Sequence, residues 1–113
     1  MIDVGIVGAS GYGGGELIRW LSFHPSARVA EATSNTYASQ PVSAAFAGLA
    51  GLSELRFTTE DDPRIAECNV VFLARDNGQA MKLAPPLLDK GCKVIELGKA
   101  PGYDLVKGRI PKP

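Results

Sequence analysis

Residues 5 to 16 read GIVGASGYGGGE, and half of them are glycine. An apolar run from Asp3 to Val7 leads into this cluster, and the stretch ELIRWLSF leads out of it. A continuous apolar run of that length suits a strand buried on both faces. The segment from Gly14 to Phe23 carries Leu17, Ile18 and Leu21 at helical spacing, so a helix is expected there. A strand, a glycine turn and a helix in immediate succession restrict the chain to few architectures. Gly8, Gly11 and Gly14 are spaced GxxGxxG inside that context. Gly8 can make a tight turn that a Cβ would forbid. Gly11 lets backbone approach a pyrophosphate, and Gly14 lets the helix lie close to the strand. The helix N-terminus adds free N–H groups and a positive dipole end, and Ser10 adds a hydroxyl. The pattern predicts a dinucleotide site.

Strand and helix signals alternate down the rest of the chain. Strands are expected at Arg28 to Ser34, Leu55 to Thr58, Asn69 to Ala74 and Lys93 to Leu97. Between them lie a small-residue loop with a helical turn near Val42 to Ala47, and a helix start at Asp61, Asp62 and Pro63. A helix is expected from Gly78 to Lys90, split in two by Pro85 and Pro86 and stopped by Gly91. His24 and Pro25 end the first helix. Alternation implies crossover connections and a parallel sheet. The expected fold is α/β: a Rossmann-like parallel sheet of about five strands with helices on both faces, forming a single domain. The first strand sits centrally, flanked by the Val70 and Val29 strands. The domain is expected to span residues 1–97, with 98–113 an irregular tail or connector carrying Lys99, Lys107, Arg109 and Lys112 as a solvated segment.

Composition removes other classes. Twelve basic residues balance twelve acidic ones, which argues against a nucleic-acid or membrane-surface binder. No apolar run reaches membrane-spanning length and no secretory signal opens the chain, so a cytoplasmic protein is expected. Cys68 and Cys92 are not in a CxxC pair and one histidine is present, so no metal site is expected. The two thiols are expected to be half-buried, at the sheet end opposite the ligand crevice. His24 is expected to be a cap or surface residue, and Trp20 a packing residue.

An NAD site usually carries an acid about 20 residues after the last glycine, where it holds the ribose hydroxyls. Counting from Gly14, that position is Ser34. The nearest acid, Glu31, falls earlier and on the opposite face of an alternating strand. Ser34, Asn35 and Thr36 offer hydrogen bonds to a 2′-phosphate instead. The expected coenzyme is therefore NADP, with NAD the alternative.

The stretch GASGYGGGELIRWL resembles the N-terminal coenzyme-binding region of the N-acetyl-gamma-glutamyl-phosphate reductase family, NADP-dependent enzymes of arginine biosynthesis. Further matches are His24 and Pro25, ATS at Ala32 to Ser34, Tyr37 and Ala38, Pro41 to Ser43, VVFLA at Val70 to Ala74, LAP at Leu83 to Pro85, and KVIEL at Lys93 to Leu97. The looser GASGY pattern is shared with aspartate-semialdehyde dehydrogenases. The resemblance implies pyrophosphate contacts by Ser10, Gly11, Tyr12, Gly13 and Gly14. It implies a contact by Ser34 near the adenosine ribose, with Asn35 beside it, and contacts by the turn from Ala74 to Gly78 nearer the nicotinamide. Departures fall at Gly13, at Asn35 where the family has arginine, at Arg75 to Asn77, and at Gly98 to Pro101. Arg75 and Asp76 would face the crevice, as a paired turn or with Arg75 on a phosphate.

The family's nucleophilic cysteine and histidine base belong to a C-terminal domain, so no catalytic residue is expected within these 113 residues. Three readings stay open: the coenzyme domain of such a reductase; a stand-alone, non-catalytic nucleotide-binding or interaction module; and a chain that assembles with a separate thiol-bearing domain or with its own copies.

Overall fold

The computed structural model describes residues 1–74 and 77–97. Arg75, Asp76 and the tail 98–113, including Lys99, Lys107, Arg109 and Lys112, lie outside the described residues.

The chain runs β1 (Ile2–Val7), α1 (Tyr12–Leu21), β2 (Ala27–Ala32), three short 3-10 turns (Val42–Ala44, Ala47–Leu49 and Pro63–Glu67), β3 (Val70–Leu73), α2 (Asn77–Asp89) and β4 (Lys93–Glu96). The strands form one parallel sheet in the order β2-β1-β3-β4, with β1 central as expected. Alternation along β1 sends side chains to two separate cores. Val4 and Ile6 pack with Ile18 of α1, Val42, Leu49 and Phe57. Val7 packs on the other side with Ile65, Val71, Leu73 and Leu87 of α2. Two apolar layers thus cover the sheet, which is why β1 and β3 read as near-continuous apolar runs.

The sheet of the described residues has four strands, not five. Leu55 to Thr58 makes only isolated bridges: Thr58 beside Thr33 in parallel and Arg56 beside Pro41 antiparallel. This segment is wedged between the end of β2 and the returning loop. Each flank takes a few bonds and neither extends into a ladder.

Pro85 and Pro86 do not split the second helix, which runs through them. Leu83 and Ala84 before the pair and Leu87 after it pack into the same core, tying both halves to one face. Both prolines are exposed. Gly91 ends the element at φ 93°, as its position predicts.

Trp20 is not a packing residue. It is 64% exposed, with the Arg19 guanidinium 4.8 Å from its ring centroid. Cys68 and Cys92 are buried rather than half-buried, because they pack in the core with Ile65, Val71 and Leu87. Cys92 Sγ lies 3.4 Å from the Ala66 carbonyl oxygen. Burial pushes the Cys68 thiol up to about 11. His24 is exposed, its Nδ1 accepting from the Ser26 N–H at 3.0 Å.

Candidate functional site at the glycine turn

The carboxyl ends of the strands and the start of α1 meet at one edge. Val7 ends β1, and Gly8 turns the chain at φ 75°, a left-handed conformation that favours glycine. Gly11 then caps α1 with extended backbone and no side-chain hydrogen bond. The first bond back along the helix is Gly15 N–H to the Gly11 carbonyl, at 3.0 Å. The N–H groups of the opening turn have no place in the helical ladder, and no acidic side chain stands in that turn. An anion there meets both N–H donors and the positive dipole end.

The three spaced glycines differ in what holds them. A Cβ on Gly14 would overlap the Ala9 carbonyl and lie 2.6 Å from Ala9 Cα, so α1 seats against the turn only because that position is bare. A Cβ on Gly11 would meet nothing nearer than the Gly8 oxygen, at 4.0 Å. No neighbour among the described residues needs glycine there, and the open face leaves room for a diphosphate against the backbone. The turn therefore fits the dinucleotide that its spacing predicts. Gly13 faces Leu97, where a Cβ would lie 3.8 Å from Leu97 Cδ1.

The end of β2 is stitched to this turn. The Ser34 hydroxyl donates to Ser10 Oγ at 2.8 Å and accepts from the Tyr37 N–H at 3.1 Å. Thr33 adds an unforeseen clamp. Its carbonyl accepts from the Ala9 N–H at 2.7 Å, and its Oγ1 accepts from the Gly8 N–H at 3.2 Å. Thr33 is fully buried. A polar β-branched residue at the end of an apolar strand was the one available signal for it. Gly15, outside the GxxGxxG spacing, is also held by packing: a Cβ there would lie 2.7 Å from Phe46 Cζ.

Of the remaining candidates, Tyr12 opens α1 and is 81% exposed. Asn35 and Thr36 are exposed just past Ser34. Ala74 sits beside the turn, its N–H donating to the Val7 carbonyl at 2.8 Å. Gly78 lies in the first turn of α2. The structure thus gathers Gly8, Ser10, Gly11, Tyr12, Gly13, Gly14 and Ser34 on one edge, with Ala74 adjoining.

Glu31 points away from this edge. It is buried, and its Oε2 accepts from Thr58 Oγ1 at 2.8 Å. Burial pushes its carboxyl above the usual range, opposed by the Thr58 hydrogen bond. No acid among the described residues takes the ribose position at the end of β2. Among the described residues no group of three or more His, Cys, Asp or Glu is placed to hold a metal, and no helix is long and apolar enough to cross a membrane.

Known proteins are similar to this chain in sequence and in fold. N-acetyl-gamma-glutamyl-phosphate reductase of Methanothrix thermoacetophila is 53% identical over 98 residues, covering 86% of this chain and 29% of the relative. The enzyme of the same name from Halorhodospira halophila is 48% identical over 98 residues, covering 87% of this chain and 28% of the relative. The chain spans under a third of the length of these curated relatives. Aspartate semialdehyde dehydrogenase with NADP from Candida albicans superposes with a TM-score of 0.73 at 21% identity, over 88% of this chain and 30% of that one, a likeness of fold. The family model for the semialdehyde dehydrogenase NAD-binding domain matches residues 3–104, spanning the glycine turn, the clamp at Thr33 and all four strands. By that match this chain belongs to the semialdehyde dehydrogenase family, as its NAD(P)-binding domain.

Proposed function

We propose that residues 1–97 are the NADP-holding domain of a cytoplasmic reductase that converts N-acetylglutamyl phosphate to its semialdehyde. The single observation that carries this is the glycine turn: Gly8 at positive φ, Gly14 closed against Ala9, and Gly11 open. The identity of the substrate rests on the names of the relatives, which share about half of this chain's residues.

The backbone N–H groups of Tyr12, Gly13 and Gly14 bind the pyrophosphate, and the Ser10 hydroxyl joins them. Ser34 and Asn35 hold the adenosine end, with Ser34 also fixing Ser10. Ala74 and Gly78 border the nicotinamide end. NADPH, when bound, supplies the hydride. The acyl acceptor is the thiolate of a cysteine outside these 113 residues, which displaces phosphate from the acyl phosphate to form the thioester that accepts the hydride, since Cys68 and Cys92 are buried at the far end of β3 and β4. A catalytic domain, carried on the same polypeptide or on a partner chain, completes the site.

Preference for NADP is supported by the end of β2. The position that would carry a ribose-binding acid is Ser34, and Glu31 is turned aside into its bond with Thr58. A carboxylate at the ribose repels a 2′-phosphate, and none stands there. Calorimetric titration of NADPH and then NADH into the purified chain tests the reading. Binding of both with NADPH tighter is expected; a folded chain that takes neither overturns it.

A further inference from the structure

Four arginines fall among the described residues, and three are paired with carboxylates. Arg19 meets Glu16 at 2.7 Å, Arg28 meets Asp3 at 2.7 Å, and Arg64 meets Asp62 at 2.8 Å. Arg56 is the exception among the described residues. Its Nη1 donates to a backbone carbonyl, that of Ser39, at 2.8 Å.

That carbonyl belongs to the loop that follows Ser34. The loop straddles the segment carrying Arg56: Ser34 N–H donates to the Thr58 carbonyl at 2.8 Å, and Ser39 N–H to the Phe57 carbonyl at 2.9 Å. Phe57 N–H donates back to Gln40 at 2.9 Å. Ser39 itself has φ 72°, a left-handed conformation uncommon for a residue with a side chain. Bonds on both sides of Ser39 hold it there, one of them from Arg56. Such backbone persists where its surroundings over-determine it, and it clusters at ligand clamps.

Resting on the coenzyme reading above, we infer that Arg56 selects NADP by taking the 2′-phosphate of the adenosine ribose held at Ser34 to Thr36. The guanidinium uses one of its several N–H donors on Ser39 and keeps the others for a second acceptor. It is exposed, so it meets the phosphate without a burial cost. A planar fork matches two phosphate oxygens at once, giving charge-assisted bonds that a ribose hydroxyl cannot return. No lysine or arginine occurs from Ser34 to Gln40, so the loop reaches for its cation outside its own sequence.

The test uses 2′,5′-ADP and 5′-AMP as minimal ligands, and then NADPH and NADH, titrated into the wild-type chain and into Arg56→Gln and Arg56→Lys. Arg56→Gln is expected to weaken 2′,5′-ADP and NADPH by about tenfold or more while AMP and NADH change by less than about twofold, the scale of one charge-assisted contact. Arg56→Lys, which keeps the charge but not the fork, is expected to fall between. Equal loss for both ligand classes, or an unchanged ratio, overturns the assignment and leaves the coenzyme reading standing. A wild-type chain that binds neither dinucleotide removes both.

Discussion

The Ser34 hydroxyl donates to the Ser10 hydroxyl across 2.8 Å, joining the end of β2 to the turn between β1 and α1. The same Ser34 oxygen accepts from the Tyr37 N–H, so one side chain sets the shape of two loops. Ser34→Ala removes both bonds and leaves a main-chain donor without its partner. It is expected to lower stability by about 1–2 kcal/mol and to weaken NADPH more than Ser10→Ala does. Thermal melting and calorimetry on the two variants check this; equal effects would mean that the pair has no organising role.

Gly11 and Gly14 separate ligand room from fold room. Gly11→Val places its side chain in open space on extended backbone, so melting is expected to stay near wild type while coenzyme binding is lost. Gly14→Ala drives a methyl into the Ala9 backbone, which overpacks the turn by about 1–3 kcal/mol. A Gly11→Val chain that still binds NADPH would falsify the pyrophosphate site.

Asn35 is exposed immediately after Ser34. Asn35→Arg adds a second fork beside the ribose and is expected to favour NADPH over NADH by a further ~1–3 kcal/mol. The ratio of dissociation constants measures it. An unmoved ratio puts the adenosine elsewhere on the edge.

The buried carboxyl of Glu31 gives stability a pH dependence of definite sign. Its folded pKa is raised, chiefly by burial, so the native state holds more protons than the unfolded chain just above the ordinary carboxylate range. Stability from this group is therefore lost as pH rises through that window. Asp62 acts oppositely: the Arg64 side chain holds its carboxyl down to about 2, so its contribution is present above the ordinary value and lost as pH falls toward 2. Glu31→Gln keeps an acceptor for Thr58 and carries no charge. The melting advantage of Glu31→Gln over wild type is expected to grow between pH 4 and pH 7. A constant difference across that range would discard the account.

Much of the fold was legible in residue order. Glycines at 8, 11 and 14, between an apolar run and a helical face, announced the strand–turn–helix unit, because each requirement is local. The central place of β1 between β2 and β3 followed from alternation and the usual order of doubly wound sheets. The misreadings were of another kind. Trp20 is apolar at a helical position, yet α1 turns it to solvent. Pro85 and Pro86 should break a helix, yet packing of Leu83 and Leu87 on one core carries α2 past them. Leu55 to Thr58 has the composition of a strand, yet it touches the sheet only past the end of β2, at Thr33, and turns its other flank to Pro41.

The site divides along the same line. The sequence by itself determined the phosphate turn, since backbone freedom at glycine and the helix N-terminus need no distant partner. It also excluded an acid from the end of β2. The tertiary structure alone decided that Thr33 clamps Gly8, that Ser34 reaches Ser10, that Phe46 requires Gly15 to be bare, and that Arg56 closes on Ser39. Those contacts join segments up to 31 positions apart, as with Phe46 and Gly15. Spacing along a chain encodes the bonds a residue makes with its near neighbours, and pairings across a loop exist only once the sheet has brought the segments together.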